Sequence, residues 1–212
     1  MPKAKPAINR LPNQGFLDSS LAPALHAYER LEAAQELPLV VLTIDPGKSN
    51  VALCCFNVVT GTIATTKVDL PDFKTTFAKF QYIDDVIRGW AMNYLPTIIV
   101  KEGVAHYMKF GVAEAGRMQH IVEKIAFDFN VPCLTINPSK MREFMNLKQG
   151  QDKQFTMLAV FERWGVKFDS SDETDAYALT QTALAALSGE FDLRSKKEQD
   201  AEKRAAKKAV QK

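Results

Sequence analysis

The sequence lacks most of what would stabilise a small secreted domain. Its three cysteines, Cys54, Cys55 and Cys133, include an adjacent pair and form no C-x-x-C or Cys/His spacing. A disulfide framework and a zinc site are therefore not expected, and each cysteine reads as a small buried apolar residue in a reducing compartment. No run approaches the roughly 20 apolar residues needed to span a bilayer, so no membrane partner is expected. The opening stretch, MPKAKPAINRLPNQG, carries basic residues but no apolar h-region. It does not read as a secretory signal, and the cytoplasm is the expected location (the host's, for a viral chain). The histidines His26, His106 and His120 lie far apart with no ligand spacing, and none is assigned a metal.

What is present suits one globular domain with extensions: 212 residues, 46% hydrophobic and 25% charged. A chain of that size buries a core without staples. The formal charge of +2 hides an asymmetry: residues 194–212 hold eight Lys/Arg against three Asp/Glu, leaving 1–193 at −3. Such a tail is either a solvated helix or an arm attracted to phosphates. The expected organisation is an N-terminal extension over 1–37, a domain over 38–190 and a basic tail over 191–212. Within the extension, Leu21, Leu25, Tyr28 and Leu31 recur at helical spacing behind Ser19 and Ser20.

Three apolar, β-branched-rich runs open the domain: LPLVVLTID (37–45), VALCCFNVV (51–59) and TIATTKVDL (62–70). Turn chemistry (PGKSN, then TG) joins them into an antiparallel meander. In the third, Ile63, Thr65 and Lys67 alternate with Ala64, Thr66 and Val68. A helix over roughly 73–94 carries the stripe Phe73, Phe77, Phe80, Ile83, Ile87, Trp90, Tyr94, which reads as core. The strand PTIIVKEG (96–103), a helix over 111–130 and the strand VPCLTI (131–136) follow. Residues 137–154 hold a short helix and a loop, and helices over 153–166 and 170–190 end the domain. The order β-β-β-α-β-α-β-α-α predicts an α/β fold: a mixed five-stranded sheet, three antiparallel strands then parallel ones, flanked by helices.

Asp45 ends the first strand and Glu102 the fourth. Asp172 and Asp175 open the last helix three residues apart, on one helical face. If the first and fourth strands are parallel neighbours, these acids gather at one sheet edge. Carboxylates crowded there repel and lose hydration, and hard divalent cations relieve both penalties. Taken singly, Asp45 before Pro-Gly is a turn initiator, Glu102 a solvated strand end, and Asp172 and Asp175 an N-cap and N3 pair. The GKS of IDPGKSN suggests a phosphate-binding P-loop, but that pattern needs glycine where Leu42 stands.

Over residues 38–188 the chain resembles the RuvC family of Holliday-junction resolvases, in the RNase H-like superfamily, most nearly its phage and other viral members. IDPGKSN is similar to the first-strand signature, IIVKEG to the strand carrying the second acid, and DETDAYALTQTAL to the final D-x-x-D-A motif. GRMQHIVEKIAFDFNVPCLTINPSKMREFM and KQGQDK follow the family's helix, strand and basic loop in order. The resemblance implies an RNase H-like fold and a homodimer that nicks four-way DNA junctions symmetrically to 5′-phosphate and 3′-hydroxyl ends. It implies two magnesium ions, with manganese able to substitute, held by Asp45, Glu102, Asp172 and Asp175. Lys153 matches a catalytic position near the scissile phosphate, and Lys140 and Lys148 match DNA-backbone contacts. Tyr107 and Phe110 stand near a base-stacking position that here holds Ala105. Lys101 departs from the family's apolar residue before the second acid; it either pairs with a site carboxylate or faces a strand edge. Competing readings are a flap or fork nuclease of the same superfamily, a junction-binding protein with a dead site, and an actin-like ATPase. The last needs two copies of such a subdomain, and the chain has one.

Overall fold

The computed structural model describes residues 39–104, 112–148, 152–195 and 198–201. The expected helix within 1–37, Tyr107, Phe110, His26, His106 and most of the tail lie outside these. Five strands, β1 Val40–Pro46, β2 Asn50–Asn57, β3 Thr62–Asp69, β4 Ile98–Glu102 and β5 Cys133–Ile136, form one sheet in the order β3-β2-β1-β4-β5. The β1–β2 and β2–β3 pairs are antiparallel and the β1–β4 and β4–β5 pairs parallel. This is the mixed sheet expected from the sequence. The helices are α1 Thr76–Tyr94, α2 Val112–Asp128, α3 Pro138–Phe144, α4 Lys153–Trp164 and α5 Ser171–Leu187.

Side chains alternate across a strand, so each strand contributes to two cores. Leu42, Ile44, Leu53 and Ile99 face α1 and α2, meeting Ile83, Ile87, Val122 and Ile125. Val41, Ala52, Cys54, Val100 and Leu134 face the other way, against Ala176, Leu179 and Ala183 of α5 and Val160 of α4. All three thiols lie free within this packing, and burial pushes the Cys54 thiol up to about 12. Beyond α5, Phe191 stacks on Phe144 at 5.3 Å and Leu193 packs on the α5-side core.

Local chemistry sets the helix bounds. The Thr75 side chain accepts from the Ala78 amide, so α1 starts at Thr76 and leaves Phe73 ahead of it against Tyr82. Leu95 closes α1 in the left-handed region at φ 48, just before Pro96. The aromatic stripe of α1 is only partly core. Ile83, Ile87 and Ala91 are buried and Phe80, Trp90 and Tyr94 half-buried, but Phe77 is 77% exposed because it sits in the first turn, beyond the edge of the sheet.

On α5, the Ser170 hydroxyl accepts from the Glu173 amide and donates to the Glu173 carboxylate, so Ser170 is the N-cap. Asp172 and Asp175 are therefore not the cap and N3 residues that their spacing allowed. Thr180 of α5 donates to Thr43 of β1 across 2.7 Å, both hydroxyls fully buried. That bond fixes the helix against the strand two residues before Asp45.

Candidate functional site

β1 and β4 run parallel with Ile44 opposite Lys101, so the next residues, Asp45 and Glu102, leave the sheet as neighbours on the α5 face. The N-terminus of α5 crosses the same edge and brings Asp172 and Asp175. The four carboxylates stand close enough to act on one another's ionisation. Burial first, then the Asp175 charge, raises the Asp45 carboxyl above its ordinary range. Burial first, then the Asp45 charge and a hydrogen bond with Asp45, raise Glu102 further. Asp175 is also raised, chiefly by burial, and the Thr156 side chain hydrogen-bonds it.

Asp172 behaves differently. Burial would raise it, but Lys153 and Lys67 outweigh burial and hold it below the usual carboxylate range. The Lys153 ammonium lies 2.6 Å from Asp172 Oδ1 and 3.4 Å from Asp175 Oδ2, bridging the two. The Lys67 ammonium sits 3.3 Å from Asp172 Oδ2, to which the Asn50 amide donates at 3.0 Å. Beside these, the Thr65 hydroxyl donates to Glu173 Oε1 at 3.0 Å. The alternation of Ile63, Thr65 and Lys67 along β3 thus presents one polar face to the start of α5. Among the described residues, no three His, Cys, Asp or Glu side chains stand as a group able to enclose one ion. The Lys153 and Lys67 ammonium groups are the positive charges that the described residues set against the acidic cluster.

Lys101 corrects both readings offered for it. It projects to the opposite face of the sheet, 3% exposed, where its ammonium meets Gln119 and lies 2.7 Å from Glu123 of α2. The reason is parity: adjacent strand residues point to opposite faces. Lys101 therefore does not enter the acidic cluster. Gln119 also donates to the Glu102 carbonyl, tying α2 to the strand end.

Lys140, expected to hold DNA backbone, is 7% exposed. Its ammonium lies 2.9 Å from Glu143, 3.3 Å from the Asp192 carbonyl and 5.7 Å from the centre of the Phe191 ring. It helps fasten the segment after α5 to α3 and is turned away from solvent. Lys148 is exposed. Lys79, unremarked in the sequence, donates to the Lys48 carbonyl at 2.7 Å and to Glu114 at 2.5 Å, joining the β1–β2 turn to the start of α2. Asn50 and Lys67 were also missed. The only available signal was Lys67's place in the alternating β3 pattern, because Asp172 lies far along the chain from either.

No protein-family model and no curated protein matches the sequence. Among solved structures, the chain is similar to Thermus thermophilus RuvC in complex with Holliday junction substrate. That match has a TM-score of 0.59 and 21% identity, covering 70% of this chain and 94% of that one. Thermus thermophilus RuvC in a second structure matches with a TM-score of 0.59 and 21% identity over 71% and 97% of the two chains. A Fowlpox virus resolvase with its substrate Holliday junction DNA matches with a TM-score of 0.47 and 15% identity over 69% and 99% of the two chains. The chain has the RuvC fold, an RNase H-like mixed sheet.

Proposed function

We propose that this chain is a metal-dependent endonuclease that resolves four-way DNA junctions, acting as a homodimer whose two sites nick opposed strands. The observation that carries the reading is the convergence of Asp45, Glu102, Asp172 and Asp175 at one sheet edge with Lys153 between two of them. In Thermus thermophilus RuvC this fold is found on a Holliday junction.

The donor chemistry fits hard divalent ions. All four acids offer oxygen, and three are pushed toward their neutral forms by burial and mutual repulsion. A cation that favours their ionised forms would remove that cost. Asp45 and Glu102 on the strands, with Asp172 and Asp175 on α5, would hold magnesium, or manganese in its place, once Lys153 releases the two aspartates it now bridges. When bound, such ions activate water for in-line attack on phosphorus and offset the charge on the leaving oxygen.

The chain's own residues set the conditions for that chemistry. Asp45 and Glu102 stand on two parallel neighbouring strands with a packed core behind them. Lys153, half-exposed at the first turn of α4, can exchange its carboxylate partners for a non-bridging phosphate oxygen and offset developing charge there. The Thr43–Thr180 bond keeps the α5 acids in register with β1. Lys148, exposed ahead of α4, is placed in sequence to meet flanking phosphates, a contact that positions the duplex without reading bases.

Incubation with magnesium and a synthetic four-way junction is the test. Paired, symmetric nicks that ligase seals are expected. Equal cutting of linear duplex would reject junction selectivity, preference for flaps or forks would shift the substrate within the superfamily, and no cutting with either metal would reject the nuclease.

A further inference from the structure

Asp172 is held unevenly. Its Oδ1 faces Lys153, which is half-exposed and shared with Asp175. Its Oδ2 is gripped from the sheet by two residues on different strands, Asn50 at the start of β2 and Lys67 on β3. Asn50 is itself constrained. A Cβ on Gly47 would stand 2.5 Å from Asn50 Oδ1 and 3.0 Å from the Asn50 carbonyl oxygen. With glycine at 47, the Asn50 amide can lie flat against the β1–β2 turn with its nitrogen aimed at Asp172. With any larger residue, the Asn50 side chain must swing away and its carbonyl must also give slightly. The glycine of IDPGKSN is thus linked, through Asn50, to a carboxylate on the last helix.

We propose that Asn50 and Lys67 are positioning residues of the site. They fix the Oδ2 side of Asp172 so that Oδ1 is the oxygen presented toward the cluster, and Gly47 is the seat that keeps Asn50 turned to its task. This rests on the divalent-ion reading above. Asp172 gains its orientation from the strands rather than from α5, whose first turn is occupied by the Ser170–Glu173 cap. A ligand oxygen that must find its own rotamer binds a cation less well than one already held, and loss of an outer partner typically lowers metal affinity 10–100-fold.

Asn50 is the cleaner probe because it carries no charge. Replacing Lys67 removes both a partner of Asp172 and a positive charge that repels cations, two effects of opposite sign. The test is manganese binding to the full chain, without DNA, by isothermal titration calorimetry for the wild type, Asn50→Ala, Gly47→Ala and the double variant, with folding checked by thermal melting. We expect Asn50→Ala to weaken manganese roughly tenfold, and Gly47→Ala to weaken it similarly through the displaced amide. The double variant should be little worse than either single one, because both act through one contact. Junction binding in chelator should be unchanged in all three. Wild-type affinity in folded Asn50→Ala would overturn the proposal. If that variant does not fold, Gly47→Ala decides in the same way. Additive losses in the double variant would overturn the link between Gly47 and Asn50. No manganese binding by the wild type would instead reject the divalent-ion reading itself.

Discussion

Lys101 and Glu102 are adjacent on β4, yet their surroundings differ in kind. Lys101 points into the α1–α2 face, where Glu123 and Gln119 satisfy its charge at the margin of a dry apolar core. Glu102 points to the α5 face, where its nearest charged neighbours are other carboxylates and burial keeps it toward its neutral form. The same contrast separates Ile44 from Asp45 on β1. One face of the sheet is built for stability, and the edge of the other holds repulsion that packing alone would not retain. Like-charge crowding of this kind supports the reading of these acids as a site, since perturbed carboxyls cluster at functional positions.

The contrast is broken most severely by neutralising the crowded acids. Asp45→Asn and Glu102→Gln should each lower junction cleavage by roughly a hundredfold or more, the scale of losing a charge-stabilising group at a reacting centre. Junction binding, read by gel shift in chelator, should persist or tighten as negative charge is removed. Retained cutting in either variant would remove that residue from the site. On the stable face the opposite pattern is expected. Ile44→Ala should cost about 2–5 kcal/mol in urea unfolding, while the folded fraction still cleaves.

Acidity sharpens the comparison. Asp45, Glu102 and Asp175 all have folded-state carboxyls raised above the ordinary range. The folded chain therefore keeps protons that the unfolded chain has released, and stability falls as pH rises above that range. Asp172, shifted downward, works in the other direction, but its contribution is lost only at acid pH. In chelator, melting should occur at lower temperature at pH 8 than at pH 6, and Glu102→Gln should flatten that slope. A stability that rises across this interval in the wild type would contradict the crowding. The smallest effect is expected at Lys101→Met. Removing one partner of an ion pair is costly chiefly when the other charge is left buried, and Glu123, the partner of Lys101, is more than half exposed and can return to water. Cleavage should be retained; its loss would connect Lys101 to the site after all.

Much of the sheet was legible in the sequence because strand parity is a local property. Once β1 and β4 are read as parallel neighbours, Asp45 and Glu102 share a face without reference to coordinates. Lys153 joined them only through the resemblance of KQGQDK to the RuvC family's basic loop. The residues that were missed make contacts that local patterns do not encode. Asn50 reads as a turn residue and Lys67 as one position of an alternating strand, and only the sheet brings them to Asp172. Lys140 is expected from the resemblance to hold DNA backbone, but Phe191 and the Asp192 carbonyl, some fifty positions later, fold over it. The S-x-x-E cap at Ser170 was legible, yet Asp172 and Asp175 offered a competing assignment that spacing alone did not separate. Phe77 fits the helical stripe in projection but lies one turn too early to reach the core.

Diffraction at the manganese edge from crystals soaked in that ion tests the central claim most directly. The account predicts anomalous peaks bounded by the carboxylates of Asp45, Glu102, Asp172 and Asp175, with the Lys153 ammonium moved aside. Peaks elsewhere on the chain, with Lys153 still bridging Asp172 and Asp175, would contradict it.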